Sequence, residues 1–211
     1  MKKMCECCRK REAEISFPYS RKLCRLCFSN VLEKRCRNDL SASKAIDNII
    51  GEKKVLLLDD KSLESAAAGI FLSRIITDKR VIFITKKCSA ISPEFDYRDI
   101  INYAKKNRIK CVAVPWQIEF EDEMLLNLVI EGKKAITGPA NKKSGIVFIK
   151  VLRNAASSEI YEYARRISGR KPRKIKKSPL HNIIESFERK YPGIKFSILS
   201  SADFFRKISG E

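Results

Sequence analysis

The 211-residue sequence has little of several features on which common functions depend. It holds one histidine, His181, and only 25 acidic residues against 44 lysines and arginines. No apolar run approaches the ~20 residues of a membrane-spanning helix, and the basic start lacks the apolar stretch of a signal peptide. Neither a Walker A loop nor a G-x-S-x-G motif occurs, so P-loop phosphate binding and nucleophile-elbow hydrolysis have no support. These absences argue against a membrane or secreted protein and predict a soluble, cytoplasmic one.

Positive charge is present in excess, at a formal net charge of +19. Hydrophobic residues still make up 44% of the chain, which is enough for a packed core. Residues 165–177 contain eight basic side chains and no acidic one, and such clusters bind phosphates with salt-sensitive, sequence-independent affinity. Nucleic acid is therefore the predicted partner, with an anionic membrane surface, an acidic protein or a merely solvated basic surface as alternatives. The predicted phosphate contacts are Arg165, Arg166, Arg170, Lys171, Arg173, Lys174, Lys176 and Lys177.

Six of the eight cysteines lie within the first 36 residues. Cys5 and Cys8 form one C-x2-C pair, and Cys24 and Cys27 form a second pair after fifteen intervening residues. Two such pairs can place four thiolates around one Zn²⁺, so the spacing predicts a zinc ribbon over residues 1–28. Cys7 is an alternative ligand to Cys8, and an iron–sulfur cluster is an alternative occupant. A disulfide framework is disfavoured because nothing marks the chain for export.

Hydrophobic periodicity predicts an α/β domain after the ribbon. A linking helix is predicted over residues 29–50, and residues 51–211 form the domain. Predicted strands at 54–58, 81–85, 111–114 and 145–149 alternate with helices at 63–77, 97–107 and 120–131, and helices at 157–168 and 178–191 follow. This alternation is typical of a Rossmann-like parallel sheet. Ligands of such sheets bind beyond the carboxyl ends of the strands, so the loops at 59–65 and 115–119 are the candidate site.

Several motifs resemble the tRNA 2-thiolation enzymes of the N-type ATP pyrophosphatase (PP-loop) superfamily. The order of ribbon, helix and first strand is similar to that of the family. Residues 116–119 and 124–132 resemble G-H-N-x-D-D and L-M-N-L-L-R-G, residues 148–153 and 159–164 resemble R-P-L-R and E-x-x-x-Y-A, and residues 187–199 resemble E-x-K-Y-P-G-x-K-F-x-I-L. The resemblance spans residues 5–208 and implies the PP-loop ATPase (adenine nucleotide alpha hydrolase-like) fold.

The sequence departs from the family at the position of its ATP-binding S-G-G-x-D-S loop. Residues 60–65 read D-K-S-L-E-S, without either glycine, and those glycines let backbone N–H groups close around a phosphate. If ATP and Mg²⁺ bind at all, the resemblance assigns them to Glu64, Ser65 and Glu119. The family's interior cysteines, which hold an iron–sulfur cluster or transfer sulfur, are reduced to Cys88 and Cys111.

The resemblance therefore implies a degenerate, non-catalytic member with no catalytic residues. The expected function is that of a tRNA-binding subunit or scaffold in tRNA 2-thiolation, of the wobble uridine type. Its expected partners are tRNA and either an active PP-loop thiolase homologue or a second copy of itself, and its expected cofactor is Zn²⁺. The alternatives are an active ATP-dependent tRNA sulfurtransferase with a divergent loop, and a zinc-ribbon nucleic-acid-binding regulator.

Overall fold

The computed structural model describes residues 3–17, 19, 21–131, 138–172 and 178–209. In chain order its elements are α1 (Arg25–Ala42), α2 (Ala45–Glu52), β1 (Lys54–Asp59), α3 (Leu63–Ile75), β2 (Ile82–Lys87), α4 (Arg98–Lys106), β3 (Cys111–Val114), α5 (Ile118–Glu131), β4 (Ala140–Lys143), β5 (Ile146–Lys150), α6 (Ser157–Ser168), α7 (Pro179–Lys190) and α8 (Ile194–Ser209). None of the helices in the described ranges is both long and apolar enough to cross a membrane.

The five strands form one sheet in the order β2-β1-β3-β5-β4. β1, β2, β3 and β5 are parallel, and β1 lies between β2 and β3. Val55, Leu56 and Leu58 of β1 are fully buried on the two faces of the sheet, as expected for a parallel strand covered on both sides. The predicted Rossmann-like α/β fold is confirmed.

The sheet is mixed rather than wholly parallel, which corrects the sequence expectation. β4 pairs antiparallel with β5 at the sheet edge. Ser144 and Gly145 join the two strands with φ of 54° and 81°, and two successive positive φ values are typical of a tight hairpin turn. The sequence Ala140–Lys143 has no apolar alternation, because an edge strand needs to bury only part of its surface.

The single linking helix predicted over residues 29–50 is wrong. The structure has two helices, α1 and α2, separated by Ser43 and by Lys44, which has a left-handed φ of 58°. Buried Leu32, Cys36 and Leu40 are spaced by four, but the next buried residue, Ala45, follows after five. In one continuous helix, this spacing of five would turn the buried residues after Leu40 away from the core. The break between α1 and α2 lets the buried residues of both helices face the core.

The N-terminal ribbon packs on the α/β body through a continuous apolar core. Ile15 and Leu23 of the ribbon belong to the same buried cluster as Leu40 and Val55. The ribbon also contacts the C-terminal end of the chain, where the Tyr19 ring lies 5.2 Å from the Phe196 ring of α8. The boundaries at residues 28 and 50 stay predictions.

Candidate functional site

The four predicted metal ligands converge. The sulfur atoms of Cys5, Cys8, Cys24 and Cys27 all lie within 4.8 Å of one another, and those of Cys8 and Cys24 are 3.8 Å apart. Cys7 is exposed and outside this group. Among the described residues, no other group of three or more histidine, cysteine or acidic side chains converges in this way. The donor set suits Zn²⁺, and four thiolates also suit an iron–sulfur cluster.

The fold of the ribbon favours the ionised form of two of these thiols. Burial opposes ionisation of Cys5, but hydrogen bonds from the backbone N–H groups of Cys24, Cys8 and Cys7 outweigh it and lower the pKa of Cys5 to about 6. A backbone hydrogen bond from Lys10 lowers the pKa of Cys8. Burial and the neighbouring cysteine side chains raise the pKa of a third ligand, Cys27. Metals bind thiolate rather than thiol, so the backbone prepares Cys5 and Cys8, whereas Cys27 would be ionised by the metal itself.

Two cysteines outside the ribbon are also held as thiols. Burial raises the pKa of both Cys36 and Cys111 to about 12. Cys36 lies in the core of α1 and Cys111 at the start of β3, whereas Cys88 is half-buried after β2. Buried thiols with raised pKa are poor nucleophiles, and neither Cys36 nor Cys111 belongs to the converging group of cysteines.

The strand order reverses between β1 and β3, so the loops at 59–65 and 115–119 lie at the topological switch point as predicted. In the first of these loops, the backbone N–H groups form hydrogen bonds within the protein. The N–H of Lys61 donates to Asp59 Oδ1 at 2.8 Å, and the N–H of Ser62 donates to Asp60 Oδ1 at 3.2 Å. Ser62 caps α3 by accepting the N–H of Ser65 at 3.1 Å. Glu64 and Ser65 are both buried in the first turn of α3.

Arg170 closes over this loop, which the sequence did not indicate. α6 ends at Gly169 in a left-handed conformation, and the chain then turns towards β1. The Arg170 guanidinium donates to both carboxylate oxygens of Asp59, at 2.5 and 3.1 Å, and to Ser65 Oγ at 3.2 Å. Burial opposes ionisation of Asp59, but the bond from Arg170 helps to lower its pKa. The carbonyl of Lys171 accepts the N–H of Leu63 at 2.7 Å.

Glu119, the third predicted nucleotide contact, is engaged in packing the C-terminal helices. Its carboxylate accepts the N–H of Ser157 at 3.1 Å, at the start of α6, and the Nζ of Lys195 at 2.9 Å. Lys195 also donates to Glu185 at 2.6 Å. Glu119 therefore joins α5, α6 and α8 through one buried carboxylate.

A buried ionic network beside Glu119 was also missed from sequence. Lys150 pairs with Glu121, and fully buried Arg153 pairs with Asp39 at 2.9 Å. A signal was available, because both basic residues stand in the otherwise apolar segment 146–153. A cation within a buried strand requires a buried anion, although its identity cannot be read from the segment itself.

The predicted phosphate contacts are described only in part. Arg165 forms an ion pair with Glu162 at 3.0 Å and lies 5.2 Å from the Tyr161 ring, and Lys171 is exposed. Arg166 lies in α6, and the structure does not describe its side chain. Arg173, Lys174, Lys176 and Lys177 lie outside the described residues.

No protein-family model and no curated protein matches this chain. Among solved structures, its fold is similar to that of the U34-tRNA thiolase NcsA from Methanococcus maripaludis, solved with its 4Fe-4S cluster. The TM-score is 0.70 at 14% sequence identity, and the alignment covers 97% of this chain and 87% of that chain. The similarity establishes that the two chains share an α/β fold with a mostly parallel sheet.

Proposed function

We propose that this protein is a non-catalytic, tRNA-binding subunit or scaffold in tRNA 2-thiolation in the cytoplasm, with a structural zinc ion in its ribbon. Three features support the proposal: the fold shared with a U34-tRNA thiolase, the net charge of +19, and the state of the loop at 59–65. The third feature carries the argument against catalysis.

A loop that binds a pyrophosphate has to present unbonded backbone N–H groups to it. Here the N–H groups of residues 61, 62, 63 and 65 already donate to Asp59, Asp60, Lys171 and Ser62, respectively. Lys61 adopts the left-handed region with φ of 62°, so the chain turns here without a glycine. The N–H groups of this turn are hydrogen-bonded within the protein and do not point to a free site.

The charges around the loop act in the same direction. Asp59, Asp60 and Glu64 place three carboxylates near the position of a phosphate, and like charges repel. Lys61 is exposed within the loop, and Arg170, the cation that closes over it, is held by both oxygens of Asp59. A bound nucleotide would therefore have to break an ion pair and several backbone hydrogen bonds before its phosphates could form hydrogen bonds with the loop.

The proposed occupant of the ribbon is a single zinc ion. A tetrahedral ion with Zn–S bonds of about 2.3 Å places its sulfur ligands about 3.8 Å apart, which agrees with the 3.8 Å between Cys8 and Cys24. A four-iron cluster separates its cysteine sulfurs more widely, because the iron atoms lie between them. The sulfur spacing therefore supports zinc over the cluster.

Titration calorimetry with ATP and Mg²⁺ tests the lack of catalysis. We expect no saturable binding to the wild-type protein, and no effect of Ser65→Ala on tRNA binding. Ser73→Ala, at an exposed position of the same helix, is the matched control. Micromolar ATP affinity that Ser65→Ala removes and Ser73→Ala retains would contradict the proposal and favour the alternative, an active sulfurtransferase.

Filter binding at several salt concentrations tests the tRNA-binding surface. Replacing Lys171, Arg173 and Lys174 by alanine should weaken tRNA binding. It should also make the negative slope of log K against log salt shallower by about 2–3, since each phosphate contact contributes about 0.9 to its magnitude. Arg170 is left intact because it is paired with Asp59. The control variant replaces Lys105, Lys106 and Arg108 by alanine. It loses the same three positive charges, but from exposed positions before β3. Equal losses in the two triple variants would show that only the overall charge matters.

A further inference from the structure

Arg170 belongs both to the basic segment and to the candidate site. In sequence it lies within residues 165–177, which contain no acidic side chain. In the structure its guanidinium donates to both oxygens of Asp59, at 2.5 and 3.1 Å, and to Ser65 Oγ at 3.2 Å. A residue expected to bind phosphate is thus bound to a carboxylate of the loop at 59–65.

This ion pair is open to solvent on the arginine side. The side chain of Arg170 is 37% exposed, although that of Asp59 is only 12% exposed. Ion pairs that solvent reaches are weak, so another anion can take the place of the carboxylate. Phosphate is such an anion, because two of its oxygens accept the N–H groups of a guanidinium in the same paired geometry as a carboxylate.

We propose that bound RNA takes Arg170 from Asp59, so that RNA binding opens the loop at 59–65. The inference rests on the proposed tRNA-binding function, and it links that function to the candidate site. Lys171 is exposed, and four further basic residues follow it before Ser178. RNA held by these side chains keeps a phosphate close to Arg170 at high effective concentration, whereas a free nucleotide has no such second contact.

Release of Arg170 loosens the loop, because the next residue is also bonded to it. The carbonyl of Lys171 accepts the N–H of Leu63 at 2.7 Å, and Asp59 loses its cation when Arg170 turns to a phosphate. Coupling between two binding events acts equally in both directions. RNA therefore opens the loop, and the carboxylate of Asp59 in turn weakens the binding of RNA.

Replacing Asp59 by asparagine tests this competition in filter binding of an unmodified tRNA transcript. Asp59→Asn keeps an oxygen to accept the N–H of Lys61, which donates to Asp59 Oδ1 at 2.8 Å, but it lacks the charge that holds Arg170. We expect tRNA to bind about three- to tenfold more tightly at about 0.15 M salt. The negative slope of log K against log salt should become steeper by about 0.9, which is the contribution of one added phosphate contact.

Asp78→Asn is the matched control, because Asp78 also pairs with an arginine, Arg80, at 2.7 Å. Both residues precede β2, which runs parallel to β1, so they lie at the end of the sheet opposite to the loop that follows β1. The control removes one negative charge and frees one arginine outside the basic segment. It should tighten tRNA binding by less than about twofold, through net charge alone.

Arg170→Ala completes a double-mutant cycle with Asp59→Asn. In the Arg170→Ala protein, Asp59→Asn should tighten tRNA binding by no more than Asp78→Asn does, because the competing cation is gone. Equal effects of Asp59→Asn and Asp78→Asn in proteins that bind tRNA would overturn the coupling and leave the proposed function standing. No tRNA binding by any variant would overturn both.

Hydrogen exchange of the wild-type protein gives a second measurement that needs no variant. Saturating tRNA should raise exchange at the amide of Leu63, whose acceptor is the carbonyl of Lys171, while the amide of Leu56 in β1 keeps its protection. Unchanged or slower exchange at Leu63 would contradict the opening of the loop.

Discussion

Asp122 is a single buried carboxyl group without the partners that its neighbours have. It is fully buried, and within the described part of the chain neither of its oxygens has a hydrogen-bond partner. Burial, together with the nearby charge of Glu119, raises the pKa of Asp122 to about 9. The folded protein therefore holds this proton at neutral pH, whereas the unfolded chain releases it near the ordinary pKa of about 4.

This difference predicts that Asp122 makes folding weaker as the pH rises. Between about pH 4 and pH 9 the folded state binds one proton more than the unfolded state, so stability falls with pH by up to about 1.4 kcal/mol per unit. Asp122→Asn keeps the neutral form and should stabilise the protein, by more at pH 8 than at pH 5.5. Urea unfolding at the two pH values measures this effect.

Glu123→Gln is the control for Asp122→Asn, since Glu123 is the next residue of the same helix but only half-buried. It should leave the pH dependence of stability unchanged. An Asp122→Asn protein that loses stability with pH as steeply as the wild type would show that the carboxyl group is ionised in the folded state.

Single residues could be predicted from sequence where their chemistry is local. Cys5 and Cys8 are three positions apart, so their spacing alone indicates a shared metal. The pairing of Arg170 with Asp59 could not be predicted in this way, because the two residues come from distant elements and meet only once α6 has packed on α3. Arg170 was predicted as a phosphate contact on charge alone, and charge does not distinguish a phosphate from a carboxylate.

The turn between α7 and α8 shows how one short motif builds an element boundary. Glu188 accepts the N–H of Gly193 at 2.9 Å and that of Lys195 at 3.3 Å, at the start of α8. Gly193 has a φ of 92°, and a Cβ there would lie 3.2 Å from the Cβ of Tyr19. The motif thus positions Lys195 for its ion pair with Glu119.

Gly193→Ala should therefore destabilise the protein by about 1–2 kcal/mol, the cost of a left-handed conformation for a residue with a side chain, and more where Tyr19 cannot move. The matched control is Gly51→Ala in α2, where a Cβ would have nothing within 4 Å. That substitution should stabilise the helix by about 0.5–1 kcal/mol. Chemical denaturation of both variants gives the comparison, and equal effects would contradict the strain at Gly193.

The ribbon makes a separate prediction about metal content. Cys24→Ser removes one of four converging sulfurs, so it should lose the metal and unfold the ribbon. Cys7→Ser should retain one zinc ion per chain, because Cys7 is exposed and outside the group. Elemental analysis checks both variants. Iron and inorganic sulfide in the wild-type protein would instead establish the cluster.

At the scale of the whole molecule, the alternation of strands and helices predicted the sheet and its switch point correctly. The sequence did not reveal the antiparallel β4 or the interruption of the linking helix. β4 is a polar edge strand with no apolar alternation, and the interruption depends on which faces the core covers. Both are set by tertiary packing rather than by local preference.

The packing of the ribbon on α8 predicts that metal removal acts at a distance. Phe17 stacks on Tyr19, with ring centroids 5.6 Å apart, and Tyr19 packs on Phe196. Stripping the metal should raise hydrogen exchange at the start of α8, around residues 194–199, while the strands β1 and β3 keep their protection. Unchanged exchange in α8 would show that the contact does not depend on the ribbon.

The contact between Tyr19 and Phe196 joins two segments separated by most of the chain. A ribosome releases the ribbon long before it releases α8. The nascent ribbon can capture its metal early, because its cysteines are close together in sequence. It cannot make its final contact with α8 until that helix has emerged, so during synthesis its aromatic face is exposed to chaperones and to non-native contacts.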